Sequence, residues 1–121
     1  MDDLYTVRQY EPHTLVVFRT PTMMNPGEIE RVREGLLRLV EEEKRTHLVL
    51  DFGRVQYISS PVIGILLTLH KRLAAAKAGT TQLVLCGVSP KLMELLKISK
   101  LDRLLTIKPT RKEALGLEEK A

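Results

Sequence analysis

The sequence predicts one α/β domain, residues 1–121, with a mixed but mostly parallel sheet, an N-terminal antiparallel hairpin and about four helices. A length of 121 residues lies within the ~100–200 residues that are usual for one domain. Short apolar runs alternate with amphipathic stretches, which is the pattern of strands and helices in layered α/β proteins. Because 44% of the residues are hydrophobic and 28% are charged, the composition indicates a packed core rather than a disordered chain.

Two β-rich stretches near the N-terminus, residues 4–10 and 15–19, predict the antiparallel hairpin. Residues 11–14 between them read Glu-Pro-His-Thr, and a proline at the second position suits a β-turn. We expect this hairpin to form one edge of the sheet.

The first helix is predicted to begin at residues 25–28, which read Asn-Pro-Gly-Glu. Asn25 can cap the helix, Pro26 suits the first helical position, and Glu28 can return the capping bond. Apolar residues then recur at helical spacing, and charged residues fill the other positions. We therefore expect an amphipathic surface helix that ends near Lys44.

Residues 48–52, Leu-Val-Leu-Asp-Phe, form a nearly continuous apolar run, which is typical of a strand covered on both faces. We expect this strand to be central in the sheet. From Pro61 an apolar stretch continues to Ala78 and stops at Gly79, a residue that suits the C-cap of a helix. This second helix is predicted to be more buried than the first.

The second half of the chain repeats the pattern of strand and helix. Residues 83–86 resemble another buried strand, and Ser89-Pro90 is predicted to open a third helix that runs to about Ile98. Residues 104–107 are expected to form a last short strand, and residues 110–120 a terminal helix. The residues expected in the core are Leu50, Ile65, Leu66, Leu69, Leu83 and Leu85.

Composition excludes several classes of function. With 4% aromatic residues and no tryptophan, the chain offers little material for stacking nucleic-acid bases, and no motif accompanies its net charge of +4. The single cysteine, Cys86, lies in an apolar run and is expected to be buried in a reducing, cytoplasmic protein. Asp2 and Asp3 stand where a secretory signal would be positive. The longest uncharged stretch, residues 55–70, is too short to insert in a membrane.

The candidate site lies in residues 51–64, because ligands and partners usually bind beyond the carboxyl ends of the central strands. Ser60 stands directly before Pro61 at the predicted start of the second helix. Its hydroxyl can cap that helix, which contributes about 1 kcal/mol. The same position suits a phosphorylated serine, because a helix N-terminus offers free N–H groups and partial positive charge. These residues by themselves leave both roles open.

The sequence contains no convincing catalytic constellation. Ser60, His70 and Asp51 supply the residue types of a serine-hydrolase triad, yet the Gly-x-Ser-x-Gly elbow is missing and His70 lies about 15 Å along the helix from Ser60. A phosphoacceptor aspartate at position 51 would need an acidic pair after the first strand, and none stands there. His13, His47 and His70 fall on three different elements, so no metal site is predicted. We therefore predict neither enzymatic activity nor a cofactor.

Residues 48–67, which read LVLDFGRVQYISSPVIGILL, resemble the signature region of STAS domains, the anti-sigma factor antagonist family. In that family a buried strand leads into a sequence of the type Val-x-Phe-Ile-Asp-Ser-Ser-Gly-Leu-Gly, which opens the next helix. Residues 83–90, followed by residues 95–102, resemble the strand, Ser-Pro turn and helix that come next. The two matches stand at the family's separation and cover residues 46–108.

The resemblance implies that Ser60 is the serine that a partner kinase phosphorylates. Ser59 stands where the family has Asp, and Pro61 replaces the second Ser. Val62 replaces the first Gly of the pattern, whereas Gly64 keeps the second. These departures remove a carboxylate that could position the hydroxyl, and they stiffen a turn where the family has small residues.

By this resemblance the chain is expected to bind an anti-sigma factor with serine kinase activity through Ser59, Ser60, Pro61, Gly64 and Thr68. Phosphorylation would add about −1.5 to −2 charges at Ser60 and release that partner, and a phosphatase could restore the unmodified state. ATP would belong to the kinase. The alternative is a constitutive STAS scaffold, or a subunit of a signalling or lipid-transport assembly, in which Ser60 only caps a helix.

Overall fold

The structure, a computed structural model, describes residues 4–76 and 81–116. Within these residues the chain forms seven strands and five helices. The strands are β1 (Tyr5–Tyr10), β2 (His13–Phe18), β3 (Thr22–Met23), β4 (His47–Asp51), β5 (Tyr57–Ile58), β6 (Gln82–Cys86) and β7 (Thr106–Lys108). The helices are α1 (Pro26–Glu41), α2 (Ser60–Ala75), α3 (Pro90–Ile98), α4 (Leu101–Leu104) and α5 (Arg111–Ala114).

Five of the strands form one sheet in the order β1-β2-β4-β6-β7. β1 pairs with β2 in antiparallel fashion, and the remaining neighbours pair in parallel. The hairpin therefore lies at one edge and β4 lies in the middle, as the sequence predicts. This arrangement confirms the predicted fold class, a mixed and mostly parallel α/β sheet.

The main core lies on the face of the sheet that α1 to α4 cover. Leu50 and Leu85, which are register partners on β4 and β6, belong to this core together with Leu36 of α1 and Leu66 of α2. The residues that the sequence places in the core, namely Leu50, Ile65, Leu66, Leu69, Leu83 and Leu85, are all buried. Aliphatic side chains supply most of this core, as the low aromatic content indicates.

The opposite face of the sheet carries a second, smaller apolar cluster. Its members from the strands are Leu15, Val49, Val84 and Cys86, and Ala114 and Leu115 cover them. Within the described residues, α5 is the helix that contributes to this cluster. The two faces of the sheet therefore differ strongly in how much helix covers them.

The predicted helix caps of α1 and α3 are confirmed. The Asn25 side chain accepts hydrogen bonds from the backbone N–H groups of Gly27 and Glu28 at 2.9 and 3.1 Å. The Ser89 hydroxyl accepts one from the N–H of Leu92 at 3.1 Å. Both serve N–H groups that have no partner inside the helix. Local sequence therefore sets where these two helices begin.

Several boundaries differ from the prediction. The hairpin turn contains only residues 11–12, because β2 begins at His13. Helix α1 ends at Glu41 rather than near Lys44, which itself adopts a left-handed conformation with φ 56°. Helix α2 ends at Ala75, and the predicted C-cap Gly79 lies outside the described residues. The terminal helix is the short α5, and residues 117–120 of its predicted range also lie outside them.

Three short elements were not predicted: β3, β5 and α4. The two strands pair in parallel with each other, Thr22 opposite Tyr57 and Met23 opposite Ile58. Each has only two residues, too few to produce a hydrophobic period in the sequence. In residues 4–76 and 81–116, the helices all fall short of the length and apolarity needed to cross a bilayer.

Candidate functional site

The junction between β5 and α2 carries the candidate site, and Ser59 anchors it. The Met23 carbonyl oxygen accepts two hydrogen bonds from Ser59, one from the backbone N–H at 3.1 Å and one from the hydroxyl at 3.0 Å. Because Met23 and Ile58 are register partners of the β3-β5 pair, these bonds extend the small sheet to the first turn of α2. Ser59 thus fixes the position of the helix start.

The structure corrects the predicted capping role of Ser60. The N-cap position belongs to Ser59, whose extended backbone precedes the helix, and its side chain makes no capping bond. Ser60 is the first residue of α2, with Pro61 after it. Proline suits the first turn because its fixed φ is helical and no intrahelical partner exists there for the N–H it lacks. The helix therefore begins one residue earlier than expected.

Ser60 is exposed, and its hydroxyl makes no hydrogen bond to the residues that the structure describes. The first turn of α2 contains no acidic side chain. The two adjacent serines therefore differ: the hydroxyl of Ser59 is engaged, and that of Ser60 is open to solvent.

The remaining predicted contact residues lie along one side of α2. Pro61, Gly64 and Thr68 follow one another at spacings of three and four, which places them on the same helix face. Gly64 is exposed, and a Cβ added to it would have nothing within 4 Å. The Thr68 hydroxyl donates a hydrogen bond to the Gly64 carbonyl oxygen at 2.9 Å. Together with Ser60 these residues form an accessible ridge with little side-chain bulk.

A groove lies between β5 and the start of α3, and the sequence analysis missed it. It encloses ≈ 450 Å³, and its lining residues are Thr22, Gln56, Tyr57, Ser89 and Lys91. Tyr57 is 52% exposed, and the Lys91 ammonium lies 5.6 Å from the centre of its ring, within cation–π range. The only sequence signal was an aromatic residue in a polar loop, two positions before Ser59. Pairing of β3 with β5 makes that residue part of the site.

Asp51, considered above as a phosphoacceptor or a triad member, is engaged elsewhere. It is 8% exposed, and one carboxylate oxygen accepts hydrogen bonds from Nε and Nη2 of Arg111 at 2.8 and 2.7 Å. The other oxygen accepts from the N–H of Gly53 at 2.8 Å. His70 lies ten residues after Ser60 on α2, a distance of about 15 Å along the axis. The structure therefore does not bring the three triad residue types together.

Two of the three histidines meet, although they lie on different strands. His13 and His47 are register partners on β2 and β4, and their ring centres are 5.6 Å apart. Burial lowers the pKa of His13 below 6.5, and the neighbouring His47 lowers it further. Among the described residues, no group of three or more His, Cys, Asp or Glu side chains is placed to hold a metal ion.

Cys86 is fully buried on β6, as the sequence predicts. Burial raises the pKa of its thiol to about 12, the Asp51 carboxylate adds to this effect, and Arg111 opposes it. Thiolate is the reactive form of cysteine. In this conformation the Cys86 thiol is therefore unreactive.

A sequence relative provides the first comparison with known proteins. BtrV of Bordetella bronchiseptica, which bears the name of an anti-sigma factor antagonist, is 32% identical to this chain over 77 residues. The matched stretch covers 64% of this chain and 63% of BtrV. The match therefore spans less than two thirds of the length of that relative.

Solved structures share the whole fold. An anti-sigma-factor antagonist (STAS) domain protein from Planctomyces limnophilus matches with a TM-score of 0.79 at 23% identity, over 92% of this chain and 93% of that one. The Bacillus cell fate determinant SpoIIAA in its phosphorylated form matches with a TM-score of 0.71 at 16% identity, over 93% and 96%. The sequence also matches the STAS domain family over residues 6–114. The chain belongs to the STAS domain family.

Proposed function

We propose that this chain acts as an anti-sigma factor antagonist, and that phosphorylation of Ser60 switches its binding. The observation that carries the proposal is the exposed hydroxyl on the first residue of α2. The partner is an anti-sigma factor with serine kinase activity, which provides the ATP site. The chain itself contributes a surface and an acceptor hydroxyl, and it catalyses no reaction.

The start of α2 suits a phosphorylated serine for electrostatic reasons. The partial positive charge of a helix N-terminus stabilises an anion within the first turn, and no acidic side chain stands in that turn. The Ser59 hydroxyl is held by Met23, so Ser60 is the better acceptor of the two adjacent serines. Phosphorylation at Ser60 therefore leaves the folded chain intact.

The proposed docking surface consists of Ser59, Ser60, Pro61, Gly64 and Thr68, with the groove of Tyr57 and Lys91 beside it. The low side-chain bulk at Gly64 allows a partner to approach the α2 backbone closely. A phosphoryl group in the middle of this surface adds about −1.5 to −2 charges. Burying that charge against an apolar or acidic partner surface opposes binding, so the modified chain releases the partner.

Known relatives support this assignment. BtrV bears the name of an anti-sigma factor antagonist, and SpoIIAA has been solved both unphosphorylated and phosphorylated. The same fold therefore accommodates a phosphorylated state in SpoIIAA. We extend that behaviour to this chain on the strength of the exposed Ser60 hydroxyl.

Two residues favour a second candidate function, a constitutive scaffold or a subunit of a signalling or lipid-transport assembly. Pro61 stiffens the turn that a kinase would have to engage. Ser59 uses its side chain to hold Met23 and supplies no carboxylate beside Ser60. In this alternative the same surface binds a partner permanently, and Ser60 stays unmodified.

Paired variants at one position test the switch. The parent chain, Ser60→Ala and Ser60→Asp are each used to capture partners from native lysate, and melting temperatures are measured on the same samples. We expect all three to be equally stable, since Ser60 makes no side-chain bond to the described residues. Ser60→Ala should retain the partner, and Ser60→Asp should lose it. Ser59→Asp is the matched control for a charge one residue away.

The captured partner is then purified and incubated with the parent chain and ATP. Mass analysis should show one added phosphoryl group on the peptide that contains Ser60, and none on Ser60→Ala. If Ser60→Asp keeps every partner of the parent, and protein from the native host is unphosphorylated under all growth conditions, the constitutive scaffold is the correct function.

A further inference from the structure

One carboxylate joins three parts of the structure. The Asp51 side chain at the end of β4 accepts two hydrogen bonds from Arg111 of α5, at 2.8 and 2.7 Å. It also accepts one from the N–H of Gly53 at 2.8 Å. Gly87, which has φ +67°, lies so close that a Cβ there would come within 2.9 Å of the Gly53 nitrogen. Asp51 is buried, whereas the Arg111 side chain remains 48% exposed.

Helix α5 is a small cover for a large apolar area. It has one turn, Arg111–Ala114, and a cap in which the Thr110 hydroxyl accepts from the N–H of Glu113 at 3.2 Å. Helices this short are unstable by themselves, so α5 depends on what it contacts. Its apolar contacts come from Ala114 and Leu115, which pack on the second cluster, and its polar anchor is the Arg111–Asp51 pair.

We propose that α5 is a strap that opens by itself, fastened by the Asp51–Arg111 pair, and that its opening exposes Cys86 and the second apolar face of the sheet while the rest of the domain stays folded. The second cluster is separate from the main core, so losing α5 leaves the packing of α1 to α4 unchanged. Segments with few buried contacts open at a lower free energy than the whole fold. The strap thus controls access to a sheet face distinct from the surface around Ser60.

Cys86 provides the measurement, because it is the only cysteine in the chain and is fully buried when the strap is closed. Its rate of labelling by the disulfide reagent DTNB, under native conditions with reagent in excess, therefore reports opening. We expect Arg111→Gln to raise this rate by about tenfold or more, because hydrogen bonds to a charged group are among the stronger ones. Arg111→Lys keeps the charge without the two-pronged geometry and should give an intermediate rate.

Two controls separate the strap from general loosening. Arg103→Gln removes an exposed arginine from α4 and should leave the rate unchanged. Leu36→Ala weakens the main core, of which Leu36 is a fully buried member, but it does not touch α5. If Cys86 reacts through local opening, Leu36→Ala lowers the urea midpoint and leaves the labelling rate as in the parent.

Equal labelling rates for the parent and Arg111→Gln would overturn the proposal. An acceleration by Leu36→Ala as large as its loss of stability would also overturn it, since labelling would then require global unfolding. Should Arg111→Gln fail to fold, Leu115→Ala provides the same test by removing the apolar contact of the strap, and an unchanged rate there is equally decisive. No partner or phosphorylation enters this experiment, so its failure is distinct from failure of the proposed switch.

Discussion

At the scale of single residues, the neighbours Ser59 and Ser60 carry different tasks. Ser59 gives its N–H and its hydroxyl to the Met23 carbonyl oxygen, whereas the Ser60 side chain is exposed. Identical chemistry one position apart therefore produces a structural anchor and an accessible acceptor. The direction in which the helix begins decides which serine has which task.

Substitution by alanine should separate these tasks. Ser59→Ala should lower the free energy of unfolding by about 1 kcal/mol, because it removes a half-buried hydrogen bond. Ser60→Ala should change it by less than about 0.5 kcal/mol, as is usual for exposed sites. Urea unfolding of both variants measures this difference. A larger loss for Ser60→Ala than for Ser59→Ala would mean that Ser60 caps the helix after all.

The histidine pair predicts a pH dependence of stability. Burial, and then His47, lower the pKa of His13 in the folded state below 6.5, so the unfolded chain binds a proton more readily. The contribution of His13 is therefore fully present above pH 6.5 and is lost as the pH falls from there toward the folded-state value. Urea midpoints at about pH 7.5 and about pH 5.5 should fall less for His13→Gln than for the parent. Equal falls would contradict the shift.

At the scale of elements, helix α2 connects packing with the proposed surface. Its buried side is formed by Val62, Ile65, Leu66, Leu69 and Leu73. Its outer side presents Ser60, Gly64 and Thr68. A glycine in the middle of an exposed helix face weakens the helix, so the presence of Gly64 indicates a requirement for close approach rather than for stability.

Gly64→Ala should therefore stabilise the free domain and weaken docking. A Cβ at this position meets nothing within 4 Å, so the expected gain is about 0.5–1 kcal/mol from helix propensity. The added methyl group stands on the proposed docking surface and should reduce partner capture. Melting temperature and capture from lysate, measured on one sample, test both effects. A lower melting temperature would show that the helix face is not open.

The element boundaries illustrate which local signals were sufficient. Capping residues at Asn25 and Ser89 located the starts of α1 and α3, because a cap bond involves residues only two or three positions away. The start of α2 was displaced by one residue, because Ser59 bonds to Met23, 36 residues earlier in the chain. No local pattern contains such a partner.

At the scale of the whole molecule, β4 is the centre of the fold. It lies between β2 and β6 in the sheet, and its residues face the main core on one side and the second cluster on the other. Leu50 faces the main core and Val49 the second cluster, which is why this strand appears in the sequence as a nearly continuous apolar run.

Truncation at the centre should therefore destabilise the whole domain. Leu50→Ala and Leu85→Ala each empty a fully buried position, so each should cost about 2–5 kcal/mol. Leu104→Ala is the matched control, since Leu104 is 50% exposed and its loss should cost less than about 0.5 kcal/mol. Urea midpoints of the three variants measure these costs. Midpoints of Leu50→Ala or Leu85→Ala close to the parent's would show that the core lies elsewhere.

The sequence by itself determined the fold class, the central strand, the buried cysteine and two helix starts, because periodicity, apolar runs and caps act over a few neighbouring residues. Only the tertiary structure decided which serine is free, that Tyr57 and Lys91 share a groove, that His13 faces His47, and that Asp51 holds Arg111. Each of these depends on a contact between residues that lie far apart along the chain. Such contacts follow from strand order and register, which local patterns do not specify.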